Sequence, residues 1–230
     1  MDGRRDVPRR DGDLLADVRR GTVVAVALLA VGAAASILVA TDPASPPLLA
    51  SADRWWRTIA ASPSSWLDAG AHGLYVLGSG AVMVPLRLAV AGWLAVRRRR
   101  VDLAAWLLGW VAADLITQLL KPGIGRLRPD LSDASSFPSA HAKSAAQVAV
   151  GLVLLLPFDR RAWGWGLAVV WIALMAASRT VLDEHWMSDV IAGAAIGAGC
   201  AVGAAVVCQR WRDARAPVAT TAAEDAGTPA

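Results

Sequence analysis

The hydrophobic positions of the chain fall into six long apolar stretches separated by short polar segments. They run roughly over residues 21–40, 70–96, 101–120, 142–158, 162–177 and 190–207. Each approaches the ~20 residues that a helix needs to cross the ~30 Å hydrocarbon core of a bilayer. The pattern therefore predicts an all-α fold, a polytopic membrane protein built as a bundle of six transmembrane helices.

The polar segments are too short to form a separate soluble domain. We expect residues 1–20 to be a cytoplasmic tail, residues 21–210 to be one six-span domain, and residues 211–230 to be a disordered cytoplasmic tail. Arg19 and Arg20 precede the first stretch, as charged residues precede a secretory signal, but the stretch is longer than the about 7–15 apolar residues of a signal. It is predicted to be a retained membrane anchor.

Composition and charge strengthen the membrane assignment and give it an orientation. The chain is 56% hydrophobic and 18% charged, which is too apolar for a soluble domain. Loops that stay in the cytoplasm collect Lys and Arg, and most of the arginines lie in the two tails and two of the loops: Arg4, Arg5, Arg9, Arg10, Arg19, Arg20, Arg97, Arg98, Arg99, Arg100, Arg160, Arg161, Arg210, Arg212 and Arg215. Both termini are therefore expected to be cytoplasmic, and the high pI reflects topology and not a nucleic-acid partner. The opposite loops are expected to hold fewer cations, among them Arg54, Arg57, Arg126 and Lys143.

Three motifs carry the candidate chemistry, and with this topology all three lie on the extracytoplasmic side. They are Lys121-x6-Arg128-Pro129, Pro138-Ser139-Ala140-His141 and Ser178-Arg179-x5-His185-x3-Asp189. Charge bias and motif position are independent observations, so their agreement indicates one outward-facing site.

The residue types in these motifs suit phosphoryl transfer. The transition state spreads negative charge over the phosphoryl oxygens, so positioned cations are the main requirement, and Lys121, Arg128 and Arg179 supply them. Ser139 and the neighbouring amide of Ala140 would add neutral donors where a helix begins. No metal and no cofactor is expected.

The two histidines have distinct predicted roles. His185 and Asp189 are four residues apart, which places them on one face of a helix. Asp189 would accept the Nδ1 proton and leave the neutral Nε2 of His185 free to attack phosphorus, forming a phosphohistidine. His141 would protonate the leaving group and then activate the water that hydrolyses the intermediate.

Together the three motifs resemble the type 2 phosphatidic acid phosphatase superfamily, the membrane lipid phosphate phosphatases that are related to vanadium haloperoxidases. The resemblance covers the third to sixth stretches. One position departs from it, because Ala140 stands where the family usually has glycine; alanine is tolerable there if its φ is negative. The resemblance implies a hydrolase at the plasma membrane whose substrate is a lipid phosphate or diphosphate, such as phosphatidate, phosphatidylglycerol phosphate or a polyprenyl diphosphate.

Three alternatives accompany this interpretation. A lipid phosphotransferase would use the same phosphohistidine with an acceptor other than water. A haloperoxidase would share the residues, but those proteins are soluble. A non-enzymatic lipid-binding membrane protein would be expected to lack catalytic residues, and none is missing. The sequence does not indicate the lipid or the oligomeric state.

Several residues outside the motifs have open or subsidiary roles. Asp114 and Arg87 lie inside apolar stretches, where ionisable side chains are rare and are often functional, and His72 belongs to no motif. We expect the remaining features to be structural: a kink at Pro85, interfacial anchoring by Trp55 and Trp56, close packing within the chain at Gly193-x3-Gly197, and small apolar side chains at Cys200 and Cys208.

Overall fold

The computed structural model describes residues 14–60 and 64–215, and within these ranges the chain is helical and contains no strand. The helices are α1 (Val18–Thr41), α2 (Ala50–Ala60), α3 (Ser65–Gly78), α4 (Gly80–Val96), α5 (Arg100–Ile124), α6 (Ala140–Leu155), α7 (Arg161–Val181) and α8 (Met187–Ala214), and a 3-10 turn (Phe158–Arg160) precedes α7. The predicted all-α class is confirmed.

Helix length and composition give four or five candidate membrane spans. Helices α1, α5, α7 with its preceding turn, and α8 are each long and apolar enough to cross a bilayer. Helices α3 and α4 pass the same test only as a pair, which is bent by 45°. Helix α6 is apolar but has only 16 residues. The chain is thus an integral membrane protein, and helix length alone does not give the expected six spans.

The second apolar stretch is broken at Ser79, where α3 and α4 meet at an angle of 45°. Ser79 has an extended backbone, with φ −68° and ψ 159°, between Gly78 and Gly80, and glycine is a poor helix former. Pro85 lies inside the continuous helix α4. The sequence analysis did not predict this break between α3 and α4, and the kink at Pro85 stays a prediction.

Helices α6 and α8 form the centre of the bundle and touch backbone to backbone. A Cβ added at Gly193 would collide with the carbonyl oxygen of Ser139, and one added at Gly197 would collide with that of Lys143. The small-residue pair therefore packs within the chain, as expected. This contact fixes the first turn of α6 against the first turns of α8, where the second and third motifs lie.

A cluster of two buried cations and one partly exposed carboxylate joins α4, α5 and α6 in the apolar part of the bundle. Asp114 accepts hydrogen bonds from Lys143 Nζ and from Trp110 Nε1 at 2.7 Å, and Arg87 lies 3.5 Å from the same carboxylate. Lys143 was assigned to an outer loop, and this is wrong: it lies in α6 and is 4% exposed, because α6 begins at Ala140. Asp114 thus links helices by pairing with cations on both neighbours.

The segment that precedes α1 packs against the last turns of α8. The backbone N–H of Leu15 donates to Oε1 of Gln209 at 2.8 Å, and Leu14 and Leu15 are buried. Helix α8 continues to Ala214. Most of the two predicted tails, residues 1–13 and 216–230, lies outside the described residues.

Candidate active site

The eight predicted site residues come together at one end of the bundle, although they arise from four separate parts of the chain. They lie in the last turns of α5 and α7, in the loops that follow these helices, and in the first turns of α6 and α8: Lys121, Arg128, Ser139, Ala140, His141, Arg179, His185 and Asp189. His141 is close enough to interact electrostatically with Arg179 and His185, and Lys121 with Arg128 and Asp189.

Two arginines of the site hold the same carboxylate oxygen. Arg128 Nη1 lies 3.3 Å from Oε2 of Glu184, and Arg179 Nη2 contacts that same oxygen. The Arg179 side chain is fully buried and packs against the ring of Tyr75, 4.8 Å from its centroid. The two guanidinium groups therefore converge on one anionic oxygen atom.

The first turn of α6 presents the second motif. Ser139 is the N-cap, and its Oγ accepts from the backbone N–H of Ala142 at 3.4 Å, while its own N–H donates to the carbonyl oxygen of Asp189 at 3.1 Å. Ala140 begins the helix and is not among the described residues with positive φ, so alanine fits where the family usually has glycine. Lys121 Nζ donates to the carbonyl oxygen of Ser135.

His185 and Asp189 are adjacent, but the predicted geometry needs correction. His185 precedes the first residue of α8, so the pair does not share a helical face. Asp189 lies in the first turn of α8, and its Oδ2 accepts from the N–H of Trp186 at 3.0 Å. The His185 Nδ1 to Asp189 Oδ2 distance is 3.7 Å, which is beyond hydrogen-bond length.

Burial holds the pKa of the His185 imidazole below its ordinary value, and the neighbouring Asp189 carboxylate opposes this shift. A lowered pKa keeps the imidazole neutral, and so nucleophilic, at pH values where an exposed histidine is already protonated. We expect the pKa of His185 to lie below about 6.5.

NMR of histidine-labelled protein can measure this pKa, because the chain has only three histidines. The double variant His72→Gln/His141→Gln leaves His185 as the single titrating imidazole. A short histidine peptide in the same micelles is the reference. A pKa at or above the reference value would contradict the prediction.

Four further residues complete the site, and the motif analysis missed them. Arg126, assigned to an outer loop, is 2% exposed, and its Nη1 donates to Asp189 at 2.6 Å. Its Nη2 donates to Asp53 of α2 at 2.7 Å, and Ser136 Oγ also donates to Asp189. Asp189 is thus held by a buried network that reaches α2. Only the position of Arg126, two residues before Arg128, hinted at this role.

Tyr75 is the fourth missed residue, and it joins α3 to the site. The imidazole of His141 stacks on its ring, with centroids 5.2 Å apart. Gly78 permits this approach, because a Cβ there would lie 2.6 Å from Met175 Sδ and 2.9 Å from His141 Cδ2. A usable signal existed, since Tyr75 is the only tyrosine of the chain. His72, one turn earlier, is exposed and contacts Asp68.

Helix α2 lies against the loop that carries His185. Arg57 forms two hydrogen bonds with Asp183, at 2.9 and 2.6 Å, and Asp53 accepts from the backbone N–H of Ser188 at 2.8 Å. Trp55 is 61% exposed. The helix therefore has a polar face toward the loop that carries His185, and it carries an exposed tryptophan.

No group of three or more His, Cys, Asp or Glu side chains with metal-binding geometry occurs among residues 14–60 and 64–215. Cys200 and Cys208 are buried and unpaired.

An all-helical membrane protein with converging arginines, two histidines and an aspartate 3.7 Å from one of them, all at one end of its bundle, belongs to the class of phosphoryl-transfer enzymes. The family model of the PAP2 superfamily matches residues 102–213. The chain is 31% identical over 143 residues to phosphatidylglycerophosphatase B of Bacillus subtilis, covering 57% of this chain and 70% of that protein. The chain belongs to the PAP2 superfamily and is a phosphohydrolase, which removes the non-enzymatic alternative.

Other relatives agree with this assignment. The chain is 39% identical over 125 residues to decaprenylphosphoryl-5-phosphoribose phosphatase of Mycobacterium tuberculosis, covering 49% of this chain and 65% of that protein. The crystal structure of the PAP2-type phosphatidylglycerolphosphate phosphatase of Bacillus subtilis matches with a TM-score of 0.65 and 25% identity, covering 84% of this chain and 97% of that chain. That of Aquifex aeolicus LpxE matches with a TM-score of 0.54 and 22% identity, covering 66% and 92%, and supports the fold.

Proposed function

We propose that the protein hydrolyses the phosphate or diphosphate headgroup of a membrane lipid through a phosphohistidine on His185. The observation that carries the proposal is the convergence of Arg128 and Arg179 on one carboxylate oxygen next to His185. Guanidinium groups that hold a carboxylate oxygen also fit a phosphoryl oxygen. Lys121 and the amide end of α6 would complete the phosphate site.

In the proposed mechanism, Asp189 orients His185 and stabilises its charge as Nε2 attacks phosphorus. The alkoxide or phosphate leaves with a proton from His141. Water then attacks the phosphohistidine with His141 as the base, and inorganic phosphate departs. The same intermediate would serve a lipid phosphotransferase, for which no specific observation speaks.

An apolar groove between α4, α6 and α7 is suited to the lipid tail. Its volume is about 720 Å³, and its lining includes Met83, Trp93, Val148, Leu152 and Trp171. Val148 lies two turns beyond His141 in α6, about 10 Å along the helix axis. A headgroup at the site would therefore leave its apolar chain beside the groove.

We also propose six crossings, with α6 as a short central span, both termini in the cytoplasm and the site facing outward at the plasma membrane. The support is the arginine distribution.

Ser132 and Asp159 are both exposed and lie in loops at opposite ends of α6. In intact cells, Ser132→Cys should react with an impermeant thiol reagent and Asp159→Cys should not. The wild-type protein, in which Cys200 and Cys208 are buried, gives the background labelling. The reverse labelling pattern would overturn the orientation.

A panel of purified lipid phosphates tests the function. It should contain phosphatidate, phosphatidylglycerol phosphate, a polyprenyl diphosphate and a polyprenyl-linked sugar phosphate, with release of inorganic phosphate as the readout. Transfer to labelled lipid, measured in the same reactions, separates a phosphotransferase from a hydrolase. No release and no transfer with any lipid would overturn the proposal.

Turnover on the best lipid of the panel is expected to survive EDTA, because the proposed steps use only side chains. Orthovanadate should inhibit, since it mimics the trigonal-bipyramidal transition state and meets the same cations. Loss of turnover in EDTA with recovery in Mg²⁺ would contradict the metal-independent mechanism.

A further inference from the structure

Glu184 is the residue immediately before the proposed nucleophile, and its carboxylate lies where the phosphate-binding cations converge. Its Oε2 contacts Nη2 of Arg179 and lies 3.3 Å from Nη1 of Arg128. Its backbone N–H donates to the carbonyl oxygen of Arg179 at 3.2 Å. The turn between α7 and α8 therefore directs this side chain at the two arginines.

Arg179 and Glu184 differ in how freely their side chains can move. The side chain of Arg179 is fully buried, whereas that of Glu184 is 23% exposed. Arg179 is further fixed by its contact with Tyr75. When another anion binds the arginines, Glu184 is thus the group with room to leave.

A carboxylate and a phosphoryl group make the same charge-assisted hydrogen bonds to guanidinium, so they compete for Arg128 and Arg179. The pairing also gives the buried charge of Arg179 a counter-ion, which matters because an unpaired buried charge is strongly unfavourable. Building on the proposed phosphate site, we propose that Glu184 is an internal competitor for that site, and that its carboxylate moves off the arginines when a phosphoryl group binds.

Such a competitor lowers the affinity of the site for any small phosphate-like anion, including the product. A lipid phosphate gains additional binding energy from its apolar chain, whereas free phosphate does not. Glu184 would therefore favour release of inorganic phosphate, while the apolar chain keeps the lipid substrate bound.

The test is the inhibition constant of the purified enzyme for orthovanadate and for inorganic phosphate. Glu184→Gln keeps the size of the side chain but removes its charge. We expect both inhibition constants to fall about tenfold, which corresponds to ~1.4 kcal/mol. The kcat for the lipid should fall only if release of phosphate limits turnover.

The matched control is Asp133→Asn. Asp133 lies 3.8 Å from Arg128 and is 52% exposed, so this variant removes the same charge near one of the two arginines without removing the bridge. Its inhibition constants should change less than twofold. Thermal unfolding of each variant verifies folding.

The results separate this proposal from the proposed function. If the folded Glu184→Gln variant is inhibited no more strongly than the wild type, and the wild type hydrolyses lipid phosphates normally, the competitor role alone is overturned. Weaker inhibition of the variant would mean that Glu184 positions the arginines. Equal tightening in both variants would also overturn it, because general charge would then be the cause. A wild type that neither hydrolyses lipid phosphates nor responds to vanadate would overturn the phosphate site itself.

Discussion

Replacement of His185 by alanine is expected to abolish turnover with every substrate, because it removes the proposed nucleophile and with it the place where the phosphoenzyme forms. The expected loss is orders of magnitude in kcat. It should be the same for a lipid phosphate and for an activated aryl phosphate, because the nucleophile is needed whatever group leaves.

The corresponding change at His141 should depend on the leaving group. General-acid help is worth about 10²- to 10⁴-fold for an alkoxide and much less for a group that departs without a proton. We therefore expect p-nitrophenyl phosphate, if it is accepted, to rescue His141→Ala in part and not to rescue His185→Ala. The measurement is kcat for both substrates in both variants.

His72→Ala is the matched control for these two variants, because His72 is exposed and outside the site. It should retain full activity. Equal losses with both substrates in His141→Ala and His185→Ala would mean that the acid and the nucleophile are misassigned, or that His141 mainly binds phosphate.

Arg126→Ala is expected to have the largest effect on stability. Arg126 lies between Asp53 and Asp189, which are 2% and 0% exposed. Its loss would leave two buried carboxylates without their cation, and breaking one such pair costs about 3–5 kcal/mol. We expect a fall of about 10 °C in the unfolding temperature.

The same variant should lose activity, since Asp189 would no longer be fixed relative to His185. A misplacement of about 1 Å costs about 100-fold in rate. Arg126→Lys, which keeps the charge but not the fork that spans both carboxylates, should be intermediate in unfolding temperature and kcat. Arg54→Ala removes an exposed arginine of α2 and is the control. An Arg126→Ala protein with wild-type stability and kcat would contradict the positioning role.

The common location of the three motifs could be predicted from the sequence, because motif spacing and the order of the apolar stretches are one-dimensional signals. Lys121, Arg128, His141, Arg179 and His185 all lie at one end of the bundle, as expected. The apolar stretches likewise predicted the all-α membrane fold.

What the sequence did not predict depends on contacts between distant segments. Asp53 and Arg126 are 73 residues apart, so nothing in local spacing joins them. Arg126 lies in a loop as expected, but its burial was not predicted, and Lys143 lies in α6 and not in a loop. Hydropathy does not show which charged side chains find a buried partner. The Ser79 break was missed because Pro85 is the stronger helix breaker by residue type and drew the prediction of a kink to itself.

Trapping the phosphoenzyme is the direct test of whether His185 is the nucleophile. Purified protein mixed with a ³²P-labelled lipid phosphate and quenched within one turnover should carry acid-labile, alkali-stable label on the peptide that contains His185. The label should be absent from His185→Ala and should accumulate in His141→Ala with an activated aryl phosphate, because hydrolysis of the intermediate would lack its base. Rapid phosphate release by the wild type with no labelled His185 peptide, or label on any other residue, would contradict the phosphohistidine mechanism.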